Sequence, residues 1–239
     1  MGEVIRVSGL TKRFGQKIAV QDLHLSVRAG SIFGLLGSNG AGKSTTIDCM
    51  LGTERADAGE IRILGTDPRA NRRSLFQHVG VQFQESAFQS GLKVREICEI
   101  THSLYENPID WQKTVAEFEL SDKLKTTISD LSGGERQKLC ILLAMMGRPK
   151  VIFLDELTTG LDPVARRDIW QTLLRLKQTG VTLFLTSHYM DEVEKLCDEI
   201  LVIKGGKELI RGTAADVVHR TDSENMDEAF VKLVEEGIR

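Results

Sequence analysis

A mostly parallel α/β sheet is the fold class that this sequence predicts, on three observations. From Lys150 onward short apolar runs alternate with amphipathic ones, the rhythm of strand–helix–strand units. The apolar run SIFGLLG, Ser31 to Gly37, leads through a glycine-rich loop into the helical pattern KSTTIDCMLG. A second apolar run, VIFLDE, Val151 to Glu156, ends in two adjacent carboxylates.

The elements follow in order. EVIRVS near the N-terminus and DLHLSV, Asp22 to Val27, alternate apolar and polar residues and predict strands. SIFGLLG is a buried strand, and the helix after its loop begins at Lys43. GEIRILG, Gly59 to Gly65, is a strand bracketed by glycines, and HVGVQFQ, His78 to Gln84, is a further short one. From Ser86 to about Asp130 the pattern turns helical. Val94, Ile97, Ile100 and Leu104 form an amphipathic stripe, and Asn107-Pro108 ends that helix. A second helical run covers Trp111 to Leu120, and a third runs from Glu135 to about Gly147. Then come the strand KVIFLDE, a helix after Pro163, the strand VTLFLTSH, a helix near Met190 and the strand EILVIKGG. In the tail, Met226, Phe230, Leu233 and Val234 share one face, with Asn225 and Glu228 placed as a helix cap.

Composition narrows the class. The 239 residues suffice for one large domain with a sizeable core. A net charge of -3 disfavours a general nucleic-acid binder. The four cysteines, Cys49, Cys98, Cys140 and Cys197, form no C-x-x-C pair and read as reduced core thiols. The N-terminal stretch alternates and carries charge, so no leader is expected. The longest apolar run, LCILLAMM at Leu139 to Met146, falls far short of the roughly 20 residues of a membrane span.

Two motifs carry chemistry. GSNGAGKST, Gly37 to Thr45, fits G-x-x-x-x-G-K-[ST] between a strand and a helix, the setting in which that pattern cradles phosphate. Gly37, Ser38, Asn39, Gly40, Ala41 and Gly42 would wrap the phosphates with backbone N–H groups. Lys43 would reach the β- and γ-phosphates, Ser44 would offer its hydroxyl to Mg²⁺, and Thr45 closes the motif. Asp155 would hold Mg²⁺ through water at the same end of the sheet, and Glu156 would orient or deprotonate the attacking water. Together these define a P-loop nucleoside triphosphatase, a wide class.

LSGGERQK (Leu131 to Lys138), DELTTGLD and the histidine in TSHYMDEVE together resemble the ATP-binding-cassette family, nearly the whole chain through and in the right order. The resemblance implies a nucleotide-binding core at 1–85 and 135–220 with an antiparallel N-terminal β subdomain. It also implies a helical insertion at 86–134 and a C-terminal helical tail at 221–239. It implies that two cassettes pack head to tail, with ATP and Mg²⁺ between them. Ser132, Gly133 and Gly134 would then read the γ-phosphate held by Lys43 of the other subunit, and Asp162 would cross that interface. Phe14 matches the aromatic that stacks on adenine, although an aromatic packed under a hairpin would look the same. Gln84 resembles the glutamine that touches Mg²⁺ or the attacking water, with Gln82 as the competing residue, and His188 resembles the histidine on the γ-phosphate. Leu157 stands where the family has proline, which implies a looser turn and slower or leakier hydrolysis.

The segment from Thr186 to Thr213 is similar to ABC-2 type drug and polysaccharide exporters. That likeness implies an ATP-hydrolysing transporter subunit lying on the inner face of the cell membrane. Its partners would be a second cassette, identical or related, and a separate polytopic membrane protein received by the insertion, with Phe88 and Leu92 as contacts, although simple core packing would account for Leu92 equally well. No nucleic-acid partner is expected. The alternative is a soluble cassette ATPase acting on ribosome or nucleic acid.

Overall fold

The computed structural model describes residues 2–83 and 88–235. The chain opens with a long hairpin, β1 (Glu3–Phe14) and β2 (Lys17–Arg28), then β3 (Ile32–Leu36), α1 (Lys43–Leu51), β4 (Ala58–Ile63), α2 (Arg72–Leu75) and β5 (Val79–Gln82). Next come α3 (Val94–Ser103), α4 (Trp111–Glu117), α5 (Gly133–Met145), β6 (Val151–Asp155), α6 (Pro163–Gln178), β7 (Thr182–Thr186) and α7 (Met190–Leu196). The chain closes with β8 (Glu199–Lys204), β9 (Lys207–Gly212), α8 (Ala214–Arg220) and α9 (Met226–Glu235).

The expected α/β class holds. Six strands form one sheet in the order β5-β6-β7-β3-β8-β9, and only the β8–β9 pair is antiparallel. A second, antiparallel sheet has the order β2-β1-β4. Because side chains alternate along a strand, each central strand feeds two cores. Phe33, Phe153 and Phe184 face the antiparallel sheet and α1, where Ile47 and Met50 are fully buried. Phe184 lies 5.5 Å from Phe33 and 5.3 Å from Phe153, ring centre to ring centre, an aromatic stack under the middle of the sheet. Ile32, Ile152, Leu154, Leu183 and Leu185 face the other way, onto α3, α4, α5 and α6. A smaller core joins Leu36, Ile200, Val202 and Ile210 to α7, α8 and α9. Met226 and Leu233 bury the tail helix there, and Asn225 Oδ1 accepts the Glu228 N–H at 2.9 Å, as expected.

Several elements differ from expectation. The hairpin is twice as long as its two apolar stretches suggested, because polar residues pair across it as far as Phe14 and Lys17, with bulges absorbing the broken alternation. β9, α2 and α8 have no apolar period of their own. β9 is recruited by pairing to β8, and α8 is set by a capping box between Thr213 and Asp216. α3 ends at Ser103, ahead of Asn107-Pro108, and its stripe is only partly buried. Val94 and Cys98 are buried and Ile97 half-buried, but Ile100 is 50% and Leu104 67% exposed. Ile100 lies about 240° round the helix from Val94, off the buried face. Cys49, Cys98 and Cys140 are buried and Cys197 half-buried, all four as free thiols. Among the described residues no helix is long and apolar enough to cross a membrane.

Candidate functional site

The parallel strands all point the same way, so their C-terminal ends gather the loops after β3, β6 and β7 at one edge of the sheet. That is the edge where phosphate loops bind in open α/β folds.

The loop after β3 is seated by close backbone contact. A Cβ on Gly37 would lie 2.5 Å from the Ile203 carbonyl oxygen, and one on Gly42 2.4 Å from that of Ala19. Gly42 also has φ 110°, a conformation that favours glycine. The loop is tied down further where the Ala41 carbonyl accepts the Gly206 N–H at 2.8 Å and the Gly206 carbonyl accepts the Gln21 N–H at 2.8 Å. β2, β8 and the turn after β8 therefore fix one loop shape.

Lys43 opens α1 and is 5% exposed. Its Nζ donates to the Gly37 carbonyl at 2.8 Å and the Ser38 carbonyl at 3.4 Å, and stands 3.9 Å from Glu156 Oε1. Burial lowers its pKa, and the charges of Glu156 and Asp155 act against that. A buried cation held beside wrapped backbone suits a polyanion.

β6 delivers Asp155 and Glu156. Burial raises the Asp155 pKa, opposed by the Thr186 hydroxyl, which donates to Oδ1 at 2.6 Å. The same hydroxyl accepts the Glu156 N–H at 3.0 Å. Glu156 needs that support, because its φ of 50° is left-handed for a residue with a Cβ, a strain of about 1–3 kcal/mol. Its Oε1 meets His188 Nε2 from the loop after β7. One carboxylate oxygen thus sits between the histidine and the lysine.

These groups open onto a cleft of about 670 Å³. Of the expected residues, Asn39, Gly40, Gly42, Lys43, Ser44, Thr45, Glu156, His188 and Phe14 line it. Gly37, Ser38 and Ala41 shape the loop through their backbone instead. Phe14 is 48% exposed at the hairpin tip, with Lys12 Nζ 4.8 Å from its ring centre, so it is a hairpin aromatic and a wall of the cleft together. Lys17, Ala19 and Thr159 also line the cleft; Thr159 lies within DELTTGLD, though no role was assigned to it, and no motif marked Lys17 or Ala19. Thr186 was missed as well; its signal was a hydroxyl ending an otherwise apolar strand beside the one that carries the carboxylates.

Gln84 lies outside the described residues. Gln82, its competitor, is buried, and its Nε2 donates to the Phe83 carbonyl at 2.6 Å. Ser132, Gly133, Gly134 and Asp162 are not among the cleft's lining. Ser132 caps α5: its hydroxyl accepts the Glu135 N–H at 3.3 Å and its own N–H donates to Glu135 at 2.8 Å. Asp162 caps α6, accepting from Val164 and Ala165 at 2.9 and 3.1 Å. The sequence signalled that cap as Asp followed by Pro at the first helical position. Ser132 and Asp162 are both exposed.

Leu157, which stands where the family has proline, is buried. It is 4% exposed within the core beneath α5 and α6, and its side chain anchors the turn. Leu157→Ala is expected to cost about 2–5 kcal/mol, seen as a fall in melting temperature on the order of 10 °C. A shift under 2 °C would mean that the turn is held by its polar contacts alone.

A P-loop nucleoside triphosphatase is the class that this sheet, loop and carboxylate pair define. Residues 20–159 match the ABC transporter family. The Nod factor export ATP-binding protein I of Ralstonia nicotianae is 36% identical over 220 residues, covering 90% of this chain and 68% of that protein. Its namesake in Rhizobium etli is 38% identical over 221 residues, covering 90% and 69%. A solved ATP-binding subunit of an ABC transporter shares the fold, with a TM-score of 0.87 over 96% of this chain and 99% of its own, at 24% identity. The chain belongs to the ABC transporter family, as its ATP-hydrolysing cassette.

Magnesium fits the oxygen donors present. Ser44 offers an exposed hydroxyl and Asp155 a carboxylate, hard ligands in a number too small to grip a metal without phosphates and waters. Among the described residues no cluster of three His, Cys, Asp or Glu could hold a metal alone.

Proposed function

We propose that this chain is the motor subunit of an exporter. It dimerises on ATP and drives substrate through a separate membrane protein. The observation that carries the dimer is the split site. One end of the sheet gathers the phosphate loop, Glu156 and His188, while Ser132, Gly133 and Asp162 stand exposed and Gly134 half-buried outside that cleft. A head-to-tail pair of identical or related cassettes lays the Ser132 loop of each over the Lys43 loop of the other, a closed two-fold arrangement. The N-terminus of α5 then meets the γ-phosphate with its N–H groups.

Within the closed site the loop N–H groups and Lys43 hold the triphosphate, and Phe14 stacks on the base. Ser44 and Asp155, with Gln84, would hold Mg²⁺, which would supply charge neutralisation and alignment of the phosphates. Glu156 accepts the proton of the attacking water. His188 orients that carboxylate and reaches the γ-phosphate. Asp162 completes the interface.

Phe88 and Leu92 pack against the chain's own core, with Arg136 5.6 Å from the Phe88 ring centre, so a partner is better received elsewhere. A groove of about 680 Å³ lies at the opposite end of β5 and β6. Arg72, Arg73, His78, Arg148 and Lys150 line it, against Glu106. The exposed Leu104 adjoins it through Gln77, which donates to the Leu104 carbonyl at 3.3 Å, and Ile100, one turn earlier on α3, is exposed too. Cations beside exposed apolar residues suit an acidic amphipathic helix from a membrane subunit. That contact puts the cassette on the inner face of the cell membrane. Both named relatives are export proteins, which supports export as the direction.

Ser132→Arg tests the shared site. ATP affinity is expected to stay within about twofold, since the substitution lies outside the chain's own cleft, while ATP-dependent dimer mass and turnover are lost. Equal loss of ATP affinity would mean that the loop serves its own subunit.

A further inference from the structure

Glu192, on α7, is a buried carboxylate that the steps above do not use. It is 3% exposed, and its Oε1 accepts two hydrogen bonds, from Thr158 Oγ1 at 2.9 Å and from Trp170 Nε1 at 2.9 Å. Burial pushes the carboxyl pKa up, and these donors, with Arg166 nearby, pull it back.

The two donors and the acceptor belong to three separate segments. Thr158 stands two residues past Glu156, Trp170 lies on α6, the helix capped by Asp162, and Glu192 lies on α7, which follows the His188 loop directly, with the Ser187 hydroxyl accepting the Tyr189 N–H at 3.0 Å between them. A second tie runs in parallel. Arg166 of α6 lies 3.8 Å from the Tyr189 ring centre and 3.6 Å from Asp191. Besides the direct contacts of Glu156 with His188 and Thr186, the segments that carry the reacting carboxylate and the histidine are thus joined through one buried acceptor.

Resting on the roles proposed above for Glu156 and His188, we propose that Glu192 is a positioning residue for hydrolysis. It ties the Glu156 turn and the middle of α6 to α7, and so to the His188 loop that leads into α7, so that the carboxylate and the imidazole keep their contact. The geometry favours this over core filling. A carboxylate is a poor filler, since removing its partners leaves buried polar groups unsatisfied, whereas one acceptor on α7 that takes bonds from two other segments fixes the relative positions of all three.

The test measures steady-state ATP turnover, ATP affinity and melting temperature on four variants. Thr158→Val and Trp170→Phe each delete one donor with little change in shape. Each is expected to lower kcat about tenfold, as a small misplacement of a reacting group does, with ATP affinity and KM within about twofold, because the phosphate loop is untouched. Glu192→Ala is expected to be slower still, and Glu192→Gln, which retains an acceptor oxygen, to restore most of that loss. If Glu192→Ala does not fold, Thr158→Val and Trp170→Phe carry the comparison. A lowered melting temperature with unchanged kcat in both donor variants would overturn the proposal and leave Glu192 a structural residue. So would a loss of ATP affinity equal to the loss of rate.

Discussion

Glu156→Gln is expected to lower ATP turnover by about 10²–10⁴-fold, the typical contribution of a positioned general base. The amide matches the carboxylate in shape, so the backbone at φ 50° and its bond to Thr186 stay as they are. ATP affinity should hold or rise. Glu156 Oε1 stands 3.9 Å from Lys43 Nζ, and removing its charge leaves more of the lysine's field for the phosphates. With hydrolysis stopped and binding kept, the protein should accumulate as a dimer in Mg-ATP. Mass measurement on the purified variant checks this, and a monomer at saturating ATP would count against the shared site. Turnover within threefold of the parent would remove Glu156 from the chemistry.

Lys43→Met carries the second large effect, on binding. Methionine fills much the same buried volume, so the loop keeps its seat on β2 and β8, but the cation is lost. A hydrogen bond to a charged group is worth about 1.5–3 kcal/mol, so the ATP dissociation constant should rise roughly 10- to 100-fold. The melting temperature should change little, because a buried ammonium group is costly in the folded state and burial already lowers its pKa. Titration with a fluorescent ATP analogue reads the shift. Unchanged affinity would mean that the N–H groups of the loop alone hold the phosphates.

These residues were legible because their signals are local. A strand, a loop of fixed glycine spacing and a helix follow one another within a few residues, and the Asp-Glu pair ends an unmistakable apolar run. What stayed hidden acts across the chain. Thr186 matters because β7 lies beside β6 in the sheet, an adjacency set by tertiary pairing. Glu192 lies in a charged stretch that reads as a solvated helix face, until folding buries it against Thr158 and Trp170. Lys17 enters the cleft only through the register of a hairpin whose polar half has no apolar period. β9 and α8 were invisible for the same reason, since pairing and capping override weak local preference. In α3 the spacing was misleading. Ile100 fits a generous stripe on paper yet is half exposed.

Co-purification tests the motor-subunit reading most directly. Tagged Glu156→Gln is expressed in its native cell, the membranes are solubilised gently with ATP present, and the bound proteins are identified. A polytopic membrane protein in near-stoichiometric amount is the expected result, reduced when Arg73→Glu and Arg148→Glu reverse the charge of the groove. Recovery with ribosomes or DNA, or as a dimer with no membrane protein, would contradict it.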